Sequence, residues 1–561
     1  MSAGVSARRQ RGKSFDLESQ TPAFSSSVDG QWEGLRLEGE PAQLRLTPTH
    51  LEWMFPGGRP GWHSLPLCEI IGVRPVPEAA RVPKATWWGG QAAPCPPTAH
   101  IHTFRRAPGR PWEWHPRVIP VSHFDDSRAL DAWCHSLQQG VAAVSTSRPR
   151  SLLIIVNPVS GAGRAPALAH AVLLPVLRAA GVACTVRATR CRNHTVALLR
   201  ALSPAQLAAY DGIVAVGGDG AFHELVNSLF SEHRASLRAL RLAHVPAGST
   251  DAVACSLHGC RSAFGAAARV ALGDDGLLDV LRVDLGPGRA PVHACCIAAA
   301  GFMGEVCARA EAWRALGPLR YDLLGAAALL TGRGVRARVS TLPSPLTGMA
   351  AERLGPGAEG AACRAGCPVC ELAGEGAGAS ASSDGDVWSE TDPPLDTDAR
   401  RVPSDASPGG TDDLHQQGSP SALALDPMGP QPGTPPTKWE SREGRWRSVK
   451  LIVTPCRSDK TPCGMARAGH LADGRVKVVL VPNLGALGML RVLAHMAARG
   501  LAAGDLPGVE VLDVRAVRVE GGRGANLDWN LDGEATPAAL LRAHVIRGGL
   551  RVFARGVETG R

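Results

Sequence analysis

The chain runs to 561 residues, which on a soft prior of roughly 150 residues per domain gives about three or four domains. Its 60 Lys+Arg against 51 Asp+Glu leave a net charge of +9, and only six of the cations are Lys. That balance is mildly basic, and no nucleic-acid partner is expected. The 44% hydrophobic content excludes wholesale disorder and a collagen-like repeat. The Arg, Gly and Pro richness fits codon bias as readily as function. No run of about 18 uncharged apolar residues occurs, so no transmembrane helix is expected. Residues 1–20 carry Arg and Lys with no apolar core behind them, unlike a secretory signal. Fifteen Cys in such a chain are expected as reduced thiols, and the compartment as cytoplasmic.

In chain order, residues 1–27 are polar and read as a disordered arm. Residues 28–140 hold eight of the thirteen Trp, in short alternating runs such as 44–46 and 100–104. Turn residues such as Pro56, Gly57 and Gly58 punctuate them, the pattern of a small β-domain. Leu130, Trp133 and Leu137 then recur at helical spacing. A β-domain closed by one amphipathic helix with a Trp resembles the pleckstrin-homology fold. Arg105, Arg106 and Arg110 near a hairpin suit phosphoinositide phosphates, or equally are solvated charge.

From Ser151 the text becomes strand–turn–helix. Leu152, Leu153, Ile154, Ile155 and Val156 form a continuous apolar run, as in a strand buried on both faces. A helix is expected over 165–180, stopped by Gly181. Strands follow over 182–189, 212–216 and 241–245, with a helix over 221–230. This predicts an α/β domain with a mainly parallel sheet over 148–285. A β-rich C-terminal domain, a β-sandwich, is expected over 286–370 and 439–561. The interruption, 371–438, is rich in Gly, Ser, Pro and Asp, with nine acids against two Arg between Asp384 and Asp413, and reads as a disordered insertion. Residues 487–496 fit either a packed core helix or a basic amphipathic one.

Gly217-Gly218-Asp219-Gly220 follows a buried strand. Glycines let the backbone approach a phosphate while the next helix N-terminus supplies donors. An Asp there repels phosphate, but suits a general base or a ligand for a divalent metal. Alone, the four residues also fit a tight structural turn. Two further loops, 157–163 and 246–251, end neighbouring strands, on the edge where α/β sheets bind ligands.

Asn157-Pro158 with Gly161 and Gly163, Gly217-Gly218-Asp219-Gly220 with Glu224, and Pro246-Ala247-Gly248-Ser249-Thr250-Asp251 together resemble the diacylglycerol-kinase-type catalytic domain shared with sphingosine and ceramide kinases. The resemblance covers about 150–555, the insertion excepted. It implies ATP contacts at Asn157, Pro158, Val159, Ser160, Gly161, Thr189, Glu224, Gly248, Ser249 and Thr250, with Arg314 and Arg320 on phosphates unless they are surface ion pairs. Asp532, Gly533 and Glu534 would reach back to the nucleotide. Gly217, Gly218, Asp219 and Gly220 would meet the lipid substrate, with Asp219 deprotonating its hydroxyl. Mg²⁺ is the metal implied with ATP, and Ca²⁺ and calmodulin are candidate regulators.

Within that family the chain looks most like the ceramide kinases, through its N-terminal domain, Cys363-Arg364-Ala365-Gly366-Cys367-Pro368-Val369-Cys370, Gly317 with Arg320-Tyr321-Asp322, and its ending Val552-Phe553-Ala554-Arg555-Gly556. Cys307 stands where sphingosine kinases carry an Asp for an ammonium, so an uncharged substrate amide is expected. The implied activity is transfer of the ATP γ-phosphoryl group to the primary hydroxyl of ceramide, at the cytosolic face of the Golgi or plasma membrane. The alternatives are a kinase for sphingosine or diacylglycerol, or an inactive lipid-binding scaffold. Two departures from the family pattern are 462–467 and Glu305, where Asp is more usual. Cys363, Cys367 and Cys370 have the spacing of a partial zinc site. No fourth ligand is evident nearby, so zinc and a thiol cluster stay open and no metal is assigned.

Overall fold

The computed structural model describes residues 31–558 apart from 33, 58–60, 79–95, 124–125, 318, 345–348, 355–362 and 376–437. The expected arm 1–27 and nearly all of the expected insertion lie outside the described residues; the helix Pro368–Glu375 carries ordered chain five residues into it. The chain divides into two units, residues 1–101 with 118–144, and residues 102–117 with 145–561.

The first unit is built from two small sheets and a helix. One sheet runs Gln31–Trp32, Gln43–Leu46, His50–Met54, His63–Pro66, and the other Glu40–Pro41, Leu35–Leu37, Arg110–His123, Thr98–Ala107, Gly72–Pro75. Alternation sets their faces: Leu44, Leu46, Leu51 and Trp53 point inward from the first, and Leu37, Ile101, Ile119 and Val121 from the second, into one core. The helix Ser127–Val144 lays Leu130, Trp133, Leu137 and Val141 onto it.

In the second unit the parallel strands run in the order Ala183–Ala188, Ser151–Val156, Gly212–Gly217, Arg241–Pro246. Residues 152–156 are buried along their whole length, as their unbroken apolar run requires. The edge strand instead carries Thr185 and Arg187 and is largely exposed. The expected helix over 165–180 ends at Ala179, with Gly181 at φ +80°, and it contains a π-helical segment Ala169–Leu173. Pro175 explains that widening, because its ring clashes with the preceding turn and offers no N–H to it.

One expectation changes. The helix expected over 221–230 spans Asp219–Glu232, so Asp219 and Gly220 form its first turn rather than a loop. A side-chain carboxylate there is favoured by the helix dipole. The hydrogen-bonded sheet itself continues past residue 285. The last strand, Leu540–Val552, returns to pair in parallel with Arg241 and Leu242 and antiparallel with Gly276–Asp284. Fourteen strands among the described residues are thereby joined in one hydrogen-bonded network. Beyond Leu540–Val552, Glu510–Gly521 and Glu440–Ile452 each splay between two partners, Val335–Pro343 and Val476–Pro482, so these four strands close on themselves. Val339, Val449, Val478, Val519 and Trp529 fill the core there. No described helix is long and apolar enough to cross a membrane.

Candidate active site

Three loops leave the C-terminal ends of adjacent parallel strands and touch one another. In the first, Asn157 N–H donates to Val216 O (2.9 Å), and Asn157 Oδ1 accepts from Val159 N–H (3.2 Å). Gly161, Ala162 and Gly163 then lie in succession at positive φ. A Cβ added at Gly161 would overlap the Ala247 carbonyl of the third loop. Ser160 Oγ faces Gly218 N–H of the second loop at 3.4 Å. A Cβ at Gly248 would stand 2.6 Å from Gly218 Cα and 2.6 Å from Asp251 Oδ1. Glycine is required at these positions by close approach of backbone to backbone. Val159 is 79% exposed, and Ser249 and Thr250 are also exposed, so the cradle opens to solvent.

Asp219 lies beneath the cradle, half-buried. Its Oδ2 accepts from Ala252 N–H (2.9 Å) and its Oδ1 from Val253 N–H (3.1 Å), the first turn of the helix Ala252–His258. The carboxylate thus stands at two helix N-termini, its own and that one. Burial pushes its carboxyl above the ordinary value; His244 and the two N–H donors oppose this, and Asp251 adds to it.

Asp251 is buried at φ +52°. Its carboxylate accepts from Gly248 N–H (2.9 Å) and from Arg261 Nε (3.1 Å), while Arg261 Nη2 donates to Gly248 O (2.7 Å). His244 Nε2 donates to Gly217 O (3.0 Å) and stands 3.9 Å from Asp251. Arg261 and His244 thereby brace the second and third loops from below. Sequence reasoning missed both: Arg261 has no motif around it, and His244 sits in a strand that reads as apolar.

The remaining expected residues are distributed unevenly. Thr189 follows the edge strand and donates its N–H to Val156 O (2.9 Å). Glu224 Oε1 accepts from Thr195 N–H (2.8 Å), capping the helix His194–Arg200. The Asp532-Gly533-Glu534 turn lies against the start of the helix Asp219–Glu232. His223 Nδ1 is 3.5 Å from Asp532 Oδ2, and a Cβ on Gly220 would stand 3.7 Å from Glu534 Oε1. Asp532 itself holds backbone together, accepting from the N–H groups of Cys295 (2.6 Å), Cys296 (2.9 Å) and Ile297 (2.8 Å). Gly533, at φ +99°, takes Asn530 Oδ1 on its N–H (2.6 Å). Glu534 is the carboxylate that reaches the mouth, where it pairs with Arg192. Cys307 Sγ donates to Gly533 O (3.1 Å), which puts the helix Phe302–Ala310 beside the same turn. Arg320 stacks on the Tyr321 ring and donates to its hydroxyl (2.9 Å); the Arg314 side chain is outside the described residues.

The diacylglycerol kinase catalytic domain family matches residues 151–283, which hold all three loops. The chain is 25% identical to the ceramide kinase of Homo sapiens over 556 residues, covering 90% of this chain and 92% of that protein. It is 24% identical to the ceramide kinase of Arabidopsis thaliana, with 82% and 81% covered. A solved structure titled as a putative diacylglycerol kinase from Bacillus anthracis str. Sterne covers 72% of this chain and 96% of its own, with 14% identity and a TM-score of 0.44. Over residues 151–283 the chain matches the diacylglycerol kinase catalytic domain family, and along most of its length it is similar to ceramide kinases.

Proposed function

We propose that the protein is a lipid kinase that transfers the γ-phosphoryl group of ATP to the primary hydroxyl of ceramide, giving ceramide 1-phosphate. Likeness to ceramide kinases along nearly the whole chain supports the substrate class. The observation that carries the chemistry is a carboxylate, Asp219, set at two helix N-termini under three interlocked glycine loops.

Asp219 is the general base on the lipid hydroxyl. Its raised pKa improves its basicity, while the two N–H donors fix its rotamer. The backbone of 157–161 and 248–250 takes the ATP phosphates, with Thr189 and Glu224 holding the nucleotide side. Gly217, Gly218 and Gly220 supply the backbone that would meet the lipid beside Asp219. Phosphoryl transfer of this kind depends on positioning and charge neutralisation more than on covalent chemistry.

The donor set fits Mg²⁺ held chiefly through the substrate. Both oxygens of Asp219 and of Asp532 are taken by backbone N–H groups. Glu534, with 40% of its side chain exposed, pairs Oε2 with Arg192 and would offer Oε1 to a hydrated ion. When bound with ATP, Mg²⁺ neutralises phosphate charge.

The N-terminal unit is read as pleckstrin-homology-like, on the strength of its two sheets and Trp133 helix over one core. It would hold the enzyme peripherally on Golgi or plasma membranes. Arg105, Arg106 and Arg110 lie in the stretch 102–117 that groups with the second unit; Arg106 is paired with Glu558 and Arg110 with Glu113, which leaves Arg105 as the more available cation for a phosphoinositide.

The test offers purified protein labelled ATP and Mg²⁺ with ceramide, sphingosine and diacylglycerol in parallel mixed micelles. Label mainly on ceramide is expected. Label on another lipid overturns the substrate, and none with ATP still bound overturns the activity. Calcium and calmodulin added to the ceramide arm test the regulatory reading.

A further inference from the structure

Cys363, Cys367 and Cys370 gain in the fold what their spacing lacks in the sequence. Cys363 and Cys367 precede the helix Pro368–Glu375, and Cys370 lies in its first turn. His470, about a hundred residues later, packs against them, buried at 1% exposure. The three Sγ atoms and one imidazole nitrogen all lie within 4.8 Å of one another. Cys363 Sγ is 3.8 Å from Cys370 Sγ, and Cys367 Sγ is 3.3 Å from His470 Nδ1. Donors at ~2.3 Å (sulfur) and ~2.0 Å (nitrogen) from a tetrahedral zinc ion stand about 3.8 Å apart sulfur to sulfur and about 3.5 Å sulfur to nitrogen. Two edges of the cluster therefore already have close to the lengths that zinc imposes.

We propose that Cys363, Cys367, Cys370 and His470 form a closed Cys₃His site for one structural Zn²⁺. Soft thiolates in a buried tetrahedral set with no position left for water suit zinc in a structural role. His470 binds through Nδ1. Three thiolates around one dication leave one net negative charge, and the surroundings answer it. Arg457 Nη2 donates to Cys363 O and Arg547 Nη2 to Cys370 O, each at 3.4 Å. Backbone N–H groups of Cys370 and Leu471 are directed at the sulfurs of Cys367 and Cys363. Such donors outside the ligand shell orient thiolates toward a metal.

The ion would tie a short segment to the loop of residues 454–475. Arg457 N–H of that loop donates to Ser256 Oγ (3.1 Å), and Asp459 holds Arg261 Nη1 (2.8 Å). The metal would thus fix the loop that braces Arg261 and, through it, the third glycine loop. In this structural role the ion takes no part in the reaction.

The experiment measures metal content by elemental mass spectrometry on full-length protein purified without chelators and incubated with zinc. One zinc per chain is expected, released on titration of the thiols with a mercurial. His470→Ala should lower retention at least tenfold in the presence of a competing chelator. Replacement by Co²⁺ should give a thiolate-to-cobalt charge-transfer band and the visible bands of a tetrahedral ion. Should the variant fail to fold, the mercurial and cobalt measurements on the unmodified chain still decide. No zinc in the wild type, iron or copper in its place, or a Cys363–Cys370 disulfide found by alkylation without reduction would each overturn the proposal. Full zinc retention by folded His470→Ala would overturn the assigned ligand set.

Discussion

Asp219 makes opposing demands on its surroundings. Burial raises its pKa, while two backbone N–H groups and two helix dipoles favour the charged form that the proposed base role requires. Asp219→Asn keeps the size but removes the basic oxygen. Steady-state kinetics should show kcat down by about 10²–10⁴-fold, with ATP affinity changed only a few-fold by direct binding. Unchanged kcat would remove Asp219 as the base. In the wild type the acid limb of kcat should lie above the ordinary carboxylate range, because the raised group must lose its proton before it can accept one. Asp219 stands out in the sequence because an acid among phosphate-type glycines asks for a chemical reason. Arg261 and His470 do not, since each acquires meaning from a partner that only folding brings near. Arg261 meets Asp459 and His470 meets Cys367, far away along the chain. Glu534, and not Asp532, proved to face the mouth, because a carboxylate on a turn can equally well cap backbone N–H groups.

Among the loops and helices, glycine is informative only where something stands against it. Gly161 lies at φ +61°, and any Cβ there overlaps the Ala247 carbonyl, which is backbone and cannot swing aside. Gly161→Ala should separate the first loop from the third. It should raise KM for ATP at least tenfold and cost about 1–3 kcal/mol of stability in denaturant titration. Gly220 belongs to a glycine-rich motif too, yet a Cβ there meets only Glu534 Oε1 at ordinary contact distance. Gly220→Ala should therefore leave ATP binding and stability within a few-fold of wild type. Equal damage from both variants would mean that the loops do not interlock as described. The strands were readable because buried parallel strands must be apolar throughout, as in 152–156. Helix starts were less so. The Gly217-Gly218 pair reads as loop, but a helix can begin directly after glycine when the next residue is an acid.

For the whole molecule, the last strand crosses back over the boundary expected near residue 285, pairing with both Arg241–Leu242 and Gly276–Asp284. Periodicity reports which face of a strand is buried and nothing about a partner some three hundred residues away. The sheet so formed shuts in several titratable groups. Burial pushes His293 down to about 3 and His544 to about 4, and it holds His258 well below its ordinary value. Each remains neutral in the fold and gains a proton on unfolding below about pH 6.5. The unfolded chain then binds more protons, so their contribution to stability is complete above about pH 6.5 and is lost as pH falls toward the folded values. Asp279, pushed up to about 8 by burial and by Asp473, acts in the opposite sense. A variant is therefore a cleaner test than the wild-type curve, since the opposing carboxyls cancel in the comparison. The His293 ring stacks on Phe230 with centroids 3.8 Å apart, an arrangement that phenylalanine can preserve. His293→Phe should flatten the decline in unfolding free energy between pH 6.5 and 5 by about one proton, or about 1.4 kcal/mol per pH unit. Parallel curves for the two proteins would show that His293 takes up a proton within the fold.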